Sequence, residues 1–599
     1  MDYEKEQEML GKLNAMWDSA SVLMEQQLNQ FAINEALVNN RHITRRKPGR
    51  SSIFVPKLAG YLRRKLADFV GQFTGDEPVS VSETLTSSAI GAKIYQKVHN
   101  HYLSRMPVPY SATIYNGAYC GLVYNFAPAF ISVEKEEVEE EVVQQVAAPD
   151  GSFVINKEKV RRVADIKLRA EALPPENVRI DPSVAWDNID EARFISYIEY
   201  ISEDEAEEKV RTGEWKKVNI DDYRVAPSSK SNVLAVERRS QASPFSSAFI
   251  DSESGLIEVR HHFFWDEYEG EYRQLHAVTI GDAEIVVDPE PLDIDWGDGV
   301  NPAWPFVVGL VYPKPFEMHA PAMPEQGKDL QIEVNAIRNQ RRDNVALILN
   351  PEKYVSQHAG VDPEQLALSY PGKVVTVSNL GAIQWQTVPD VTSAGHNEET
   401  RVENDMDRLF SEGPLRAGVE GRRKESATAI QMMTSNASAA TGLDTDLFRI
   451  TFVEPLNRKL MAAIKQTAPD EVFIAAASDL MVSDKTDPVY EATNGQFDIN
   501  VFASSAQAEF AAKLSNISNV IGMIQTTYGP NANYKPLVDQ VIELLGLDPD
   551  AIITDPVEQQ LPNQAALDMG GVMPQGTPSI MPRAQFLGGG GMPEGSGNQ

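Results

Sequence analysis

Near the start of the chain, apolar side chains at Met9, Leu13, Met16, Ala20, Leu23 and Phe31 recur at spacings of mostly three and four. That period predicts an amphipathic helix with one face to bury. A basic stretch from Arg41 to Arg50, containing RRKPGR, follows. It can serve as a phosphate contact or as a solvated connector, and its Pro and Gly favour the connector. The next segment, SIFVPKLAGYLRRKLADFV, reads as a strand-like start leading into a second helix.

From Ile114 to Ile155 the pattern turns to β. IYNGAYCGLVYNFAP mixes alternation with aromatics, and VVQQVAAPDGSFVI predicts two strands joined by an Asp-Gly turn. The acidic run EKEEVEEE beside them is expected to be a solvated face. LPPENVRIDPSVAWDNID reads as a polar, proline-bearing connector to a second β-rich stretch, IEVRHHFFWDEYEGEYRQLHAVTIGDAEIVV. In that stretch alternation should send His261 and His262 to opposite faces.

The clearest helix is KDLQIEVNAIRNQRRDNVALILN, where Leu330, Val334, Ile337, Arg341, Val345 and Ile348 form a narrow stripe. A stripe that holds an arginine, with Arg338 and Arg342 beside it, suits packing among sister helices as well as within one subunit. LSYPGKVVTVSNLGAIQWQTV then offers two brief strands, and a helix is expected from about Asn397 to Phe410. The loop GPLRAGVEGRRKE carries Gly413, Gly418 and Gly421 together with Arg416, Arg422, Arg423 and Lys424, a flexible basic segment able to touch a polyanion. A long helical stretch broken at Gly442 and Pro455 follows, and then a helical segment around Phe510–Tyr528. From about Pro556 the Gly, Pro, Gln and Met content predicts a disordered tail.

With 599 residues the chain should hold roughly three or four modules. Its net charge of −32 argues against a protein that grips nucleic acid over its whole surface, yet allows DNA to pass without being held. A single cysteine, Cys120, excludes a disulfide framework and a multi-cysteine zinc site, and reads as a small buried apolar residue rather than a reactive thiol. No run of apolar residues is long enough to span a membrane, and no signal peptide is expected.

The Gly-Lys pairs at Gly11, Gly327 and Gly372 lack the upstream glycine and the following Ser or Thr of a phosphate-cradling loop. No G-x-S-x-G, H-E-x-x-H or G-x-G-x-x-G pattern occurs. Asp293, Asp295 and Asp298 in DIDWGDG tempt a calcium reading, but Gly297 and Trp304 stand where an EF-hand loop needs oxygen ligands. No catalytic residue, cofactor or metal site is therefore expected.

Three stretches, in order, resemble the portal proteins of tailed bacteriophages, particularly those of short-tailed phages. RSSIFVPKLAGYLRRKLADFVGQF and the later YNGAYCGLVYNF are similar to the opening and a glycine-bearing strand of the portal wing. WPFVVGLVYPKPFEMHAPAMPEQGKDLQIEVNAIRNQRRDNVALILNPEKYV resembles the run into the first stem helix, with NAIRNQRRDNV as its most specific part. PGKVVTVSNLGAIQWQTVPD, a helix, and then RRKESATAIQMM resemble the clip, the second stem helix and the start of the tunnel helix.

The resemblance implies an α+β portal fold with a mixed wing, a two-helix stem, a small β-containing clip and a helical crown, assembled as a ring of twelve. On it, residues 1–322 would be wing, 323–349 the first stem helix, 350–392 clip and 393–412 the second stem helix. Residues 413–500 would be tunnel loop, kinked helix and return to the wing, 501–555 crown, and 556–599 tail, with no long helical barrel. It also implies a place at one capsid vertex of the virion after assembly in the host bacterial cytoplasm. The partners would be sister subunits, the large terminase, head-completion, adaptor or tail proteins, capsid and scaffolding proteins, and double-stranded DNA passing without sequence preference. Arg416, Arg422, Arg423 and Lys424 would lie near the tunnel loop and Arg338, Arg341 and Arg342 on the stem, where ion pairs between subunits compete with a DNA-facing role. A different virion component, such as a head-completion adaptor, or a packaging nuclease or ATPase, are the rival readings; the first does not explain the order of elements, and the second lacks its motif.

Overall fold

The computed structural model describes residues 3–44, 48–147, 153–223, 256–297, 301–356, 383–410, 442–480 and 487–501, less single gaps at 76, 86 and 494, with isolated positions between 360 and 381. The chain divides into two compact units, residues 1–508 and 509–599. All described residues belong to the first. The expected crown beyond 501, the tail and the basic loop with Arg416, Arg422, Arg423 and Lys424 lie outside the described residues.

The first helix, α1 (Tyr3–Val38), buries Leu10, Leu13, Trp17, Ala20, Met24, Leu28 and Phe31, a seam with steps of three and four. The expected stripe was offset from it: Leu23 is 46% exposed, and Met9 and Met16 are only half-buried. The offset arises because Trp17 holds the seam from the middle, its ring lying between the guanidiniums of Arg179 and Arg260 at 4.8 and 4.7 Å. The N-terminal half of α1 packs through Leu10, Leu13 and Ala20 on Phe194, Phe264, Leu275 and Ile285 of a sheet, while its C-terminal half enters the main core.

That sheet is antiparallel with order β4 (Val178–Ile180), β5 (Phe194–Ser202), β6 (Leu256–Tyr268), β7 (Glu271–Ile280), β8 (Glu284–Pro291). The supposed polar connector thus contributes an edge strand whose three residues are all buried. Three residues are too few to set up a period, which is why alternation could not reveal it. His261 and His262 do face opposite ways. His262 is buried against Ser196 and Thr279, while His261 stacks between Tyr197 and His276.

A second sheet joins β2 (Ala127–Ala147), β3 (Phe153–Ala172) and β9 (Phe306–Gly309). β2 and β3 pair over nineteen register positions, far longer than the hairpin expected around Asp150-Gly151, and Glu134–Glu139 are all exposed, Val138 included. A third, two-stranded sheet pairs β1 (Val79–Glu83) with the last described strand, β12 (Phe497–Val501).

A further expectation is overturned. The YNGAYCGLV segment, read as a strand, is the helix α4 (Tyr110–Val123), preceded by α2 (Lys57–Phe73) and α3 (Ala89–Arg105). Its glycines, which looked like strand punctuation, make a flat helical face. A Cβ on Gly117 would stand 2.5 Å from the Phe452 ring, and one on Gly309 in β9 would stand 2.7 Å from Phe452. Phe452 lies in a π-helical turn, Arg449–Val453, just before Pro455 in α8 (Glu454–Thr467), and stacks on Phe448 with centroids 5.0 Å apart. The predicted break at Pro455 is thus absorbed by an extra residue in the turn, which drives two aromatics into the glycine face. Here α5 (Glu203–Thr212) packs against β5 and β6, and helices Asp470–Asp479 and Pro488–Thr493 lead to β12.

Several buried polar groups in this core pair with one another. Tyr95 donates to His99 Nδ1 at 3.0 Å, leaving Nε2 to donate to Asn457 Oδ1, whose amide reaches Tyr110. Buried Lys459 bonds Asp190 and the Phe306 carbonyl, each at 2.6 Å. Burial holds His99 and His319 near pKa 4 and His262 and His276 near 3.

Two outcomes follow. Gly117→Ala should destabilise the fold by about 1–3 kcal/mol through overpacking on Phe452, whereas Gly11→Ala, on an open face of α1, should be neutral or stabilising by up to about 1 kcal/mol; chemical denaturation of both variants checks the contrast. Because the four histidines titrate below their unfolded value near 6.5, the unfolded chain takes up protons first, so stability is full above that pH and falls as pH drops through it. Unfolding free energy should decline by more than about 1 kcal/mol per pH unit between pH 6 and 4.5; a flat profile there would contradict the burial of neutral imidazoles.

A helix pair tied to an extended strap

The stripe helix is α6 (Lys328–Leu349), entered through a single turn at Met323–Gln326, and its companion is α7 (Thr392–Leu409), which starts five residues earlier than expected. Between them, β10 (Lys353–Val355) pairs with β11 (Ile383–Trp385). The second expected strand thus exists, but the strand it pairs with precedes the expected first one, most of which lies outside the described residues.

The apolar stripe does not describe what α6 buries. Its fully buried positions are Gln331, Val334 and Asn335, while Val345, Ile348 and Leu349 are exposed. The reason is an extended strap, residues 51–56, running antiparallel to α6. Ser51 N–H donates to Asp343 Oδ1 (2.8 Å), Ile53 N–H to Asn339 Oδ1 (2.7 Å), Val55 N–H to Asn335 Oδ1 (2.8 Å) and Leu58 N–H to Gln331 Oε1 (3.2 Å). In return Asn339 Nδ2 donates to the Ile53 carbonyl (2.9 Å) and Gln331 Nε2 to that of Val55 (2.7 Å).

The match is metric. Two residues of extended chain advance about 6.6 Å and four residues of helix about 6.0 Å, so amide side chains at four-residue intervals meet alternate backbone groups of the strap. The strap looked like a strand in the sequence because it is extended; its partner is a row of side chains, not another strand.

The two helices are joined by one buried acid. Glu399, its side chain 4% exposed, lies 2.5 Å from Arg338 Nη2 and 2.9 Å from Arg341 Nη2. Arg341 also reaches His396 Nδ1 at 3.2 Å, and its aliphatic stem packs on Gly395. Toward the body, Val402 and Met406 are buried, Phe410 packs on Tyr61 with centroids 5.0 Å apart, and Lys57 pairs with Glu403 at 2.8 Å. Tyr61 donates to Asp407 Oδ1 at 2.5 Å, and burial together with that carboxylate pushes its hydroxyl well above its ordinary pKa.

Of the basic candidates on this helix, the structure brings Arg338, Arg341 and Arg342 together on a cleft of about 780 Å³ that is also lined by Ile53, Phe54, Val345 and His396. Arg338 and Arg341 are already paired with Glu399. Arg342 is exposed and makes no ion pair among the described residues. Residue-type reasoning missed Gln331, Asn335, Asn339, Asp343 and Glu399. Their signal was present: four amide or acid side chains at four-residue spacing on a helix poor in apolar seam, and one acid in register with Val402 and Met406.

Nothing in this arrangement pairs a nucleophile with a base. Among the described residues no three His, Cys, Asp or Glu side chains gather as metal ligands, and no helix is long and apolar enough to cross a membrane. Asp295 accepts from Gly297 N–H within its own loop, and Asp293 stands 3.9 Å from Lys135. The helix pair combines exposed apolar and charged side chains with a buried clamp.

Comparison with known protein families matches residues 127–573 to the phage SU10 portal protein family, a span that includes both helices and the arginines of the cleft but not the strap that forms its other wall. The chain belongs to that family. A comparison with curated proteins returns no match. As a portal protein it takes its place among the head–tail connectors that serve DNA packaging in bacteriophages, a structural rather than enzymatic family whose members work as oligomers with capsid and terminase partners. The α+β composition of the portal chain agrees with the fold class expected from its sequence.

The ladder makes a specific demand. Asn339→Leu removes both bonds to Ile53 and should cost about 1–3 kcal/mol, with the Ile53 amide losing its protection by tenfold or more in hydrogen exchange. Asp343→Asn keeps an acceptor for Ser51 and should leave the pattern nearly unchanged. Equal protection at Ile53 in Asn339→Leu and the parent would contradict the ladder.

Proposed function

We propose that twelve copies of this portal protein close into a ring at one capsid vertex, forming the channel for DNA packaging and ejection, and that the protein is not an enzyme. In this reading α6 and α7 are the two-helix stem, the β10–β11 region within 350–392 is the clip, the sheets and helices within 1–322 are the wing, and 501–555 form the crown. The large terminase docks during packaging; head-completion, adaptor or tail proteins follow, with capsid and scaffolding proteins around the vertex.

The observation that carries the reading is the exposure of the helix pair. Two helices of 22 and 18 residues bury three positions each and leave Val345, Ile348, Leu349 and Leu409 open. Helices so sparsely covered in one subunit gain their missing packing from neighbours.

The net charge of −32 suits a conduit, since an acidic wall repels phosphates and leaves few wells to trap the duplex. Because Glu399 offsets Arg338 and Arg341, the role of centring DNA falls to the loop residues Arg416, Arg422, Arg423 and Lys424. Replacing Arg422, Arg423 and Lys424 together by Ala should leave ring assembly intact, as read by native mass, while packaging or retention of DNA drops at least tenfold. Unchanged packaging would overturn the loop assignment, and a largest species of one or two subunits across all concentrations would overturn the ring.

A further inference from the structure

The cleft arginines and the acids of α6 stand in a fixed relation. Arg338 follows Asp329, and Arg342 follows Glu333, by nine residues each. Nine residues are two and a half helical turns, so each acid projects from the side of the helix opposite its arginine. Asp329, Glu333 and Arg342 are exposed and make no ion pairs among the described residues. One helix therefore shows a basic cleft, part apolar through Ile53, Phe54 and Val345, on one side and an acidic ridge on the other.

We infer that the cleft is the socket for the next copy of the chain, receiving the acidic ridge of the neighbour's α6, with Arg342 facing that neighbour's Glu333. The inference rests on the ring reading and deepens it by naming the contact. A closed ring is built from head-to-tail interfaces, in which two different patches on opposite sides of each subunit meet; oppositely charged faces half a turn apart on the same helix meet that requirement. A two-fold dimer would instead bring like patches together, basic cleft on basic cleft. Arginine 342 and glutamate 333 are offset by about 13.5 Å along the helix. Inclining the helices to the ring axis gives the displacement between neighbours a component along the helix, which, together with the reach of the two side chains, takes up the offset. Glu399 is part of the same device: by engaging Arg338 and Arg341 from within, it fixes the walls of the socket and leaves Arg342 for the partner.

The test is a charge swap in the full-length protein. Arg342→Glu and Glu333→Arg are each made alone and together, and particle mass is measured over a salt series. Both positions are exposed, so monomer folding, checked by circular dichroism and melting, is expected to be unchanged. Each single variant should shift the assembly midpoint to at least tenfold higher protein concentration. The double variant should recover most of that loss, and raised salt should weaken the parent and the double alike. Single variants that assemble like the parent, or a double variant no better than the worse single, would overturn the socket and leave Arg342 to another ligand such as the DNA backbone. That outcome is distinct from failure of the ring reading, in which the parent itself forms no ring and the inference falls with it.

Discussion

An extended segment lying over a helix leaves its N–H and C=O groups facing a surface that has no main-chain partners to offer, and each one buried unpaired costs roughly 1–3 kcal/mol. In this portal protein the debt is met by side chains: Gln331, Asn335, Asn339 and Asp343 present amide and carboxylate groups at the interval the strap requires. Much of the architecture depends on that row. It ties the segment between α1 and α2 to α6, so the N-terminal helices and the helix pair hold one another in register. It also commits one face of α6 to the strap, which leaves α7 and the outer faces to do everything else.

The electrostatics follow the same economy. In a chain with 86 acidic and 54 basic residues, several buried charges sit in ion-pair groups: Glu399 with Arg338 and Arg341, Lys459 with Asp190, Lys65 with Asp444. Taking one partner from such a group leaves an uncompensated charge, so these pairs specify geometry more than they add stability. With a net charge of −32, the chain as a whole remains strongly negative.

The sequence made much of this legible, and its failures have physical causes. Period-four and period-two patterns located α1, α2, α6, α7 and, in the five-stranded sheet, β6, β7 and β8, because the pattern there runs long enough to show its period. The α4 segment misled because Gly117 and Gly121 are there to admit Phe452 and Phe448, side chains more than 300 residues away whose approach no local pattern records. The stripe on α6 was read through its apolar residues, whereas its inward face is polar, and polarity reads as exposure until the strap is in place. Edge strand Val178–Ile180 was too short to declare itself, and β10 for the same reason. The basic charge of α6 was visible; that two of its three cleft arginines answer to one buried glutamate was not, since Glu399 belongs to a helix that sequence separation hides from α6.

The most direct test of the account is a three-dimensional reconstruction of the assembled protein by cryo-electron microscopy. The account predicts a closed ring with a central channel wide enough for duplex DNA, α6 and α7 of successive subunits side by side around it, and the strap on each α6 joined to it by the amide ladder. A ring in which the helix pairs stand apart from one another, or a particle with no channel, would contradict it.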